Sequence, residues 1–136
     1  MYVFDAYGTL LDVDAAAREA SAEPGMEVLK EQWLLISKGW RERQLRYSWL
    51  CSMMGHYDDF WELTTRALDA TLEDCGLASN KEIRDRLLSL YGELSAFDEV
   101  PGALTNLKAS GHKIAVLSNA SPNMLETATK AAGIYH

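Results

Sequence analysis

The chain has 136 residues, enough for one small domain by length alone, and carries 13 basic against 20 acidic side chains for a formal net charge of −7. That balance argues against a nucleic-acid partner, because a phosphate backbone is bound chiefly by neutralising it with Lys and Arg. Hydrophobic residues make up 48% of the chain and charged residues 24%, a folded rather than a disordered composition, and no apolar run is long enough for a membrane-spanning helix.

The first predicted element is the apolar run Tyr2-Val3-Phe4, which stops at Asp5 and passes into Tyr7-Gly8-Thr9. A short apolar run closed by a Gly turn reads as a buried strand followed by a loop. From about Met26 to Met54 apolar residues recur at helical spacing, at Val28, Leu29, Trp33, Ile36, Trp40, Leu45, Trp49 and Met53, with Gly39 as a candidate break or bend. The tryptophans, including Trp61, are expected to be packing residues. Asp59 with Glu62 has the spacing of a capping box, so a helix is expected through Leu63, Ala67, Leu68, Thr71 and Leu72 as far as Gly76. Ser79 with Glu82 repeats the signature ahead of Ile83, Leu87, Leu88 and Tyr91. Pro101 and Gly111 bracket another helix, and Ser121-Pro122 and Gly133 bracket a last one. Between these two lies the second strand, Lys113-Ile114-Ala115-Val116-Leu117, ended by Ser118-Asn119.

The order is therefore strand, a helical block over residues 15–95, helix, strand, helix. Two apolar strands separated by helices predict an α/β fold with parallel pairing, in which the helical block is an insertion after the first strand. Such an insertion would sit over the carboxyl ends of the strands, where open α/β sheets bind ligands. Asp5 ends one strand and Ser118-Asn119 the other, so parallel neighbours bring a carboxylate together with hydroxyl and amide donors. The Ala6–Thr9 turn is expected to aim backbone N–H groups at Asp5, and the helix starting near Pro122 to add the positive end of its dipole. That combination suits a carboxylate nucleophile acting on a substrate that bears an anionic group. Each feature also has an ordinary reading, Asp before Gly as a turn and Ser-Asn-Ala-Ser before Pro as a helix cap. His56, His112 and His136 have no catalytic spacing. Cys51 and Cys75 form neither a disulfide framework nor a metal-knuckle pattern, and the N-terminus lacks the pattern of a secretory signal. A cytoplasmic protein with reduced thiols is the expectation.

The segment Phe4-Asp5-Ala6-Tyr7-Gly8-Thr9-Leu10-Leu11-Asp12 resembles the first motif of the haloacid dehalogenase superfamily, and Leu117-Ser118-Asn119-Ala120-Ser121 resembles its second. Trp40-Arg41-Glu42-Arg43-Gln44-Leu45-Arg46-Tyr47-Ser48-Trp49-Leu50, with Tyr57-Asp58-Asp59-Phe60-Trp61 after it, resembles the cap domain of the L-2-haloacid dehalogenases. The resemblance implies a Rossmann-like parallel-sheet core, incomplete here, built from residues 1–14 and 96–136, with a helical-bundle cap over 15–95. It implies hydrolysis of 2-haloalkanoic acids to 2-hydroxy acids through an aspartyl ester, without metal or organic cofactor.

Carried onto this chain, Asp5 matches the nucleophile, Thr9 a support for its loop, and Arg41 the residue that receives the halide. Ser118 and Asn119 match residues that hold the substrate carboxylate, and Tyr7, Leu45 and Phe60 the apolar wall around the alkyl group. Tyr7 stands where phosphatase members of the superfamily carry a second Asp, the general acid for an alkoxide. A halide leaves without a proton, so this position favours carbon–halogen cleavage. The resemblance also implies a possible homodimer through the helical part, and no nucleic-acid or membrane partner. The family's third and fourth motifs, a lysine and an acidic loop, have no counterpart in these 136 residues. An N-terminal portion of a dehalogenase with little turnover of its own is therefore expected. The alternatives are an Mg²⁺-dependent phosphatase of the same superfamily and a non-catalytic fragment.

Overall fold

Strands β1 (Tyr2–Phe4) and β2 (Ile114–Val116) lie side by side and parallel, with Tyr2 opposite Ile114, Val3 opposite Ala115 and Phe4 opposite Val116. The computed structural model describes residues 1–135. Parallel neighbours cannot be joined by a tight hairpin, so all the chain between them is crossover. It divides into two compact units, Met1–Val13 with Gly92–His136, and Asp14–Tyr91.

The first unit holds both strands with helices α5 (Val100–Ala109) and α6 (Pro122–Ala131). Each helix has a proline in its first turn, where the missing N–H costs nothing and the fixed φ suits the helix. Ser121 caps α6, its hydroxyl accepting from Met124 N at 3.3 Å. Leu10, Leu11, Leu94, Val100, Leu104, Ala128 and Ile134 are buried. The sheet has two strands among the described residues, and Val3 and Val116 on it stay exposed. Beside β2 runs a cavity of about 750 Å³, lined among others by Leu104, Ile114, Leu125, Ile134, Lys108 and Lys113.

The second unit contains α1 (Ala15–Ala22), α2 (Trp33–Met53), α3 (Phe60–Asp74) and α4 (Lys81–Gly92). Asp59 caps α3 as its position predicts, accepting from Trp61 N at 2.8 Å, and the buried stripe Leu63, Thr64, Ala67, Leu68, Thr71, Leu72 follows. The cap of α4 is Asn80 rather than Ser79, for it is the Asn80 amide oxygen that accepts from Ile83 N at 3.1 Å. Arg86 grips the Glu23 carboxylate with contacts of 2.6 to 3.0 Å, and Arg84 grips Asp69 at 2.5 and 3.0 Å. The Arg86 hydrogen bonds outweigh burial and hold the Glu23 carboxyl below its usual range.

Helix α2 departs from its sequence expectation in three ways. The apolar pattern from Met26 opens with a 3-10 turn, Glu27–Leu29, and the α-helix starts only at Trp33. Gly39 does not break it, for α2 runs continuously from Trp33 to Met53. Its bare Cα instead admits α3, since a Cβ there would meet Thr71 Cγ2 at 3.2 Å. Finally, the buried stripe runs through Ile36, Ser37, Trp40 and Gln44, so Trp49 and Met53, rotated off that stripe, are 63% and 82% exposed.

These burials set a contrast in stability. Leu68→Ala, at a fully buried α3 position, is expected to lower the unfolding free energy by about 2–5 kcal/mol. Trp49→Ala should change it by less than about 0.5 kcal/mol. Urea denaturation of the two variants against the parent chain measures both values.

Candidate active site

The loop after β1 is wound around one carbonyl. Ala6 O accepts from Thr9 N at 3.3 Å and from Leu10 N and Leu11 N at 2.9 Å, while Gly8 N donates to Leu11 O at 2.9 Å. Gly8 sits at φ +90°, where a side chain would be strained, so the glycine of the first motif is a requirement of the turn. Those N–H groups are thereby committed to carbonyls and do not serve Asp5, contrary to the sequence expectation. It is the Thr9 side chain that reaches the Asp5 carboxylate, its hydroxyl donating to Oδ2 at 3.2 Å. The loop is tied to the second half of its unit by Asp12 N to Ser95 O at 2.8 Å and Phe97 N to Leu10 O at 3.2 Å.

The strand ladder continues one step past Phe4 and Val116, with Leu117 N donating to Phe4 O at 2.9 Å. Asp5 and Ser118 therefore leave adjacent parallel strands at the same carboxyl rim. Asp5 and Asn119 are exposed and Ser118 is half-buried. The Ser118 hydroxyl oxygen accepts from Ala120 N at 3.2 Å, which folds the segment back toward the N-terminus of α6. That N-terminus brings the positive end of the α6 dipole to the segment.

Tyr7 is 3% exposed, and burial pushes its phenol up to about 12. A phenol so placed stays neutral near pH 7 and is a weaker acid than tyrosine in water.

Arg41, Leu45 and Phe60 belong to the helical unit. Arg41 and Leu45 are one turn apart on α2, both partly exposed, and Phe60 is buried in the first turn of α3. The Arg41 guanidinium donates from Nη1 to Gln44 Oε1 at 3.0 Å. Gln44, present in the sequence reading only as part of the cap segment and without a role, is a polar side chain with no exposure at all. Its signal was positional: it lies four residues beyond Trp40, on the stripe that Ile36 and Trp40 begin. Among the described residues no group of three or more His, Cys, Asp or Glu side chains converges as a metal site would.

The family model for haloacid dehalogenase-like hydrolases matches residues 1–136. The chain is 46% identical over 132 residues to (S)-2-haloacid dehalogenase 1 of Pseudomonas sp. (strain CBS-3), covering 97% of this chain and 56% of that protein. It is 44% identical over 130 residues to (S)-2-haloacid dehalogenase 4A of Burkholderia cepacia, covering 96% and 54% respectively. The chain thus spans about half the length of the curated relatives it matches. A structure of L-2-haloacid dehalogenase from Xanthobacter autotrophicus with chloropropionic acid covalently bound has TM-score 0.79 to this chain at 37% identity, covering 97% of this chain and 51% of that one.

The buried phenol makes a testable signature. Because the folded state holds the Tyr7 proton up to about pH 12 while an unfolded tyrosine loses it near 10, folding stability should fall as pH rises through that window. Spectrophotometric titration should reveal a late-ionising tyrosine that disappears in Tyr7→Phe. Loss of the late component in no variant, or its persistence in Tyr7→Phe, would assign it elsewhere.

Proposed function

Because the chain belongs to the haloacid dehalogenase-like hydrolases, whose family model spans its whole length, we propose that it is the nucleophile-bearing part of a 2-haloacid dehalogenase. The observation that carries this reading is Tyr7, a buried, neutral phenol two residues after Asp5, with its pKa raised to about 12. A phosphate-ester hydrolase needs an acid there for its alkoxide leaving group, and a desolvated phenol is poorly suited to give up a proton. Halide departure needs none. The names of the relatives and the covalently held chloropropionic acid of the Xanthobacter protein support the same chemistry.

In the proposed reaction one Asp5 carboxylate oxygen attacks C2 of the 2-haloalkanoate in line with the carbon–halogen bond. The bonding pair leaves with the halide, C2 inverts, and an ester joins Asp5 to the substrate. Thr9 steadies the carboxylate by its hydrogen bond to Oδ2. Ser118 and Asn119, beside the N-terminus of α6, hold the substrate carboxylate. Tyr7, Leu45 and Phe60 form the apolar surround of the alkyl group. Arg41 receives the halide, a role that suits a guanidinium because it keeps its charge and is weakly hydrated. Water then attacks the ester carbonyl carbon, releasing the 2-hydroxy acid and restoring Asp5. No metal or organic cofactor enters either step.

The two steps make different demands. The residues matched above to the attack on C2 are in these 136 residues, whereas the third-motif lysine that the resemblance places beside the nucleophile and the water-activating acidic groups of the fourth motif are not. The 136-residue polypeptide by itself should therefore release no more than one chloride per chain from L-2-chloropropionate and accumulate the Asp5 ester, visible by intact mass. Release should be indifferent to EDTA and absent from Asp5→Asn. Cleavage of a phosphate monoester that requires Mg²⁺ would instead support the phosphatase reading and sink this one. So would a chloride burst that survives Asp5→Asn.

A further inference from the structure

We infer that Gln44 is a positioning residue for Arg41: a fully buried neutral amide, locked by Thr64 and Tyr91, that aims the guanidinium without adding a negative charge beside it. The inference rests on the assignment of Arg41 as the halide-receiving group and deepens it.

Thr64 Oγ1 has a single proton and donates it to Phe60 O, one turn back on α3, at 2.7 Å. Toward Gln44, 2.7 Å away, the same oxygen can only accept, so the side of the amide that faces Thr64 must be the NH₂ group. That choice puts Oε1 on the opposite side, where the Arg41 guanidinium donates to it at 3.0 Å. An amide turned the other way would set an NH₂ group against a guanidinium, donor facing donor. Tyr91 OH closes the arrangement, 2.9 Å from Nε2 and 3.1 Å from Oε1. Its ring packs on Trp40 with centroids 4.8 Å apart, and Trp40 Nε1 donates to Thr64 O at 2.8 Å. Three helices thus converge on one amide, and α3 sets its orientation through a backbone carbonyl.

The chemistry of the acceptor matters as much as its placement. On the same helix Arg43 reaches the Asp74 carboxylate and Arg46 the Glu42 carboxylate. Those contacts set a formal negative charge against each guanidinium. Gln44 offers Arg41 an oxygen of comparable reach with no net charge, so the hydrogen bond orients the group and leaves its attraction for an anion intact. A carboxylate at the same position would compete with a departing halide for the same N–H donors. Gln44 makes this contact from inside the bundle, so it touches no substrate and acts only through Arg41.

The informative variant is Gln44→Met in a Tyr91→Phe background, which leaves no buried hydroxyl waiting for the amide, since Thr64 keeps its bond to Phe60. Gln44→Glu in the parent background tests the charge. Arginine side-chain NMR on the 136-residue chain, with the Arg41 signal assigned by its loss in Arg41→Lys, reads the restraint directly. Slow guanidinium proton exchange is expected in the parent and fast exchange in Gln44→Met/Tyr91→Phe. In the protein carrying this chain with its full catalytic complement, L-2-chloropropionate turnover should show kcat falling by about 10²-fold while KM holds, because only the halide-facing group has shifted. L-2-Bromopropionate, with the better leaving group, should lose less. Gln44→Glu should lose turnover while its guanidinium exchange stays slow.

The two ways of failing are separable. Parent-like kcat in Arg41→Lys would remove the halide role from Arg41 and overturn the inference through its premise. Loss of kcat in Arg41→Lys, together with unchanged exchange and unchanged kcat in Gln44→Met/Tyr91→Phe, would overturn the positioning role alone. An equal loss on chloride and bromide with a lowered melting temperature would reduce Gln44 to a structural residue.

Discussion

Everything in the core unit depends on β1 and β2 running parallel. A parallel pair sends both chains out of the sheet at the same rim, so the Asp5 carboxylate and the Ser118 hydroxyl emerge side by side although 112 residues separate them. The same constraint demands a long crossover, and the helical unit occupies most of it. The ladder is short, three residue pairs with one further hydrogen bond from Leu117 N to Phe4 O. Local devices supply what the ladder cannot. Gly8 permits the tight turn around Ala6 O, and the bridges from Asp12 and Phe97 anchor that turn to the segment after the helical unit. Thr9 is thereby held where its hydroxyl reaches Asp5.

The helical unit solves a different problem. Burying an amide, two hydroxyls and an indole N–H in an apolar bundle is costly unless each finds a partner, and Gln44, Thr64, Tyr91 and Trp40 find one another. Apolar side chains of similar size would pack these helices as well. They would not give the guanidinium of Arg41 a fixed acceptor. Hydrogen bonds with direction are what convert a bundle held by Leu68, Leu72, Ile83 and Leu87 into a frame for one cation.

Most of what depends on neighbours a few residues away was legible in the sequence, the α4 cap at Asn80 and the partner of Asp5 being exceptions. The Asp59 cap, the Ser121-Pro122 start of α6, the Pro101 start of α5 and both strand runs follow from hydrogen bonds and backbone angles within a turn. The resemblance of the Asp5 and Ser118 motifs to those of the dehalogenases was visible for the same reason, because each motif is a strand end with its loop. The other misreadings occurred where two elements meet. Gly39 resembled a break because helix propensity takes no account of Thr71 on the neighbouring helix. Trp49 and Met53 resembled core because periodicity finds apolar residues but cannot find the helix that would cover them.

By itself, then, the sequence determined the order of elements and the two strand-end motifs, since these rest on short-range chemistry. Only the tertiary structure decided which face of α2 is inside, that Thr9 rather than the turn's N–H groups serves Asp5, and that a polar residue, Gln44, is fully buried. For α2 and for Gln44 the physical reason is contact with another helix, whereas the Thr9 bond spans four residues and follows from a turn that commits its N–H groups to carbonyls. A hydrogen bond to a distant partner makes a polar group an acceptable core residue, and neither the partner nor its distance is written in the local sequence.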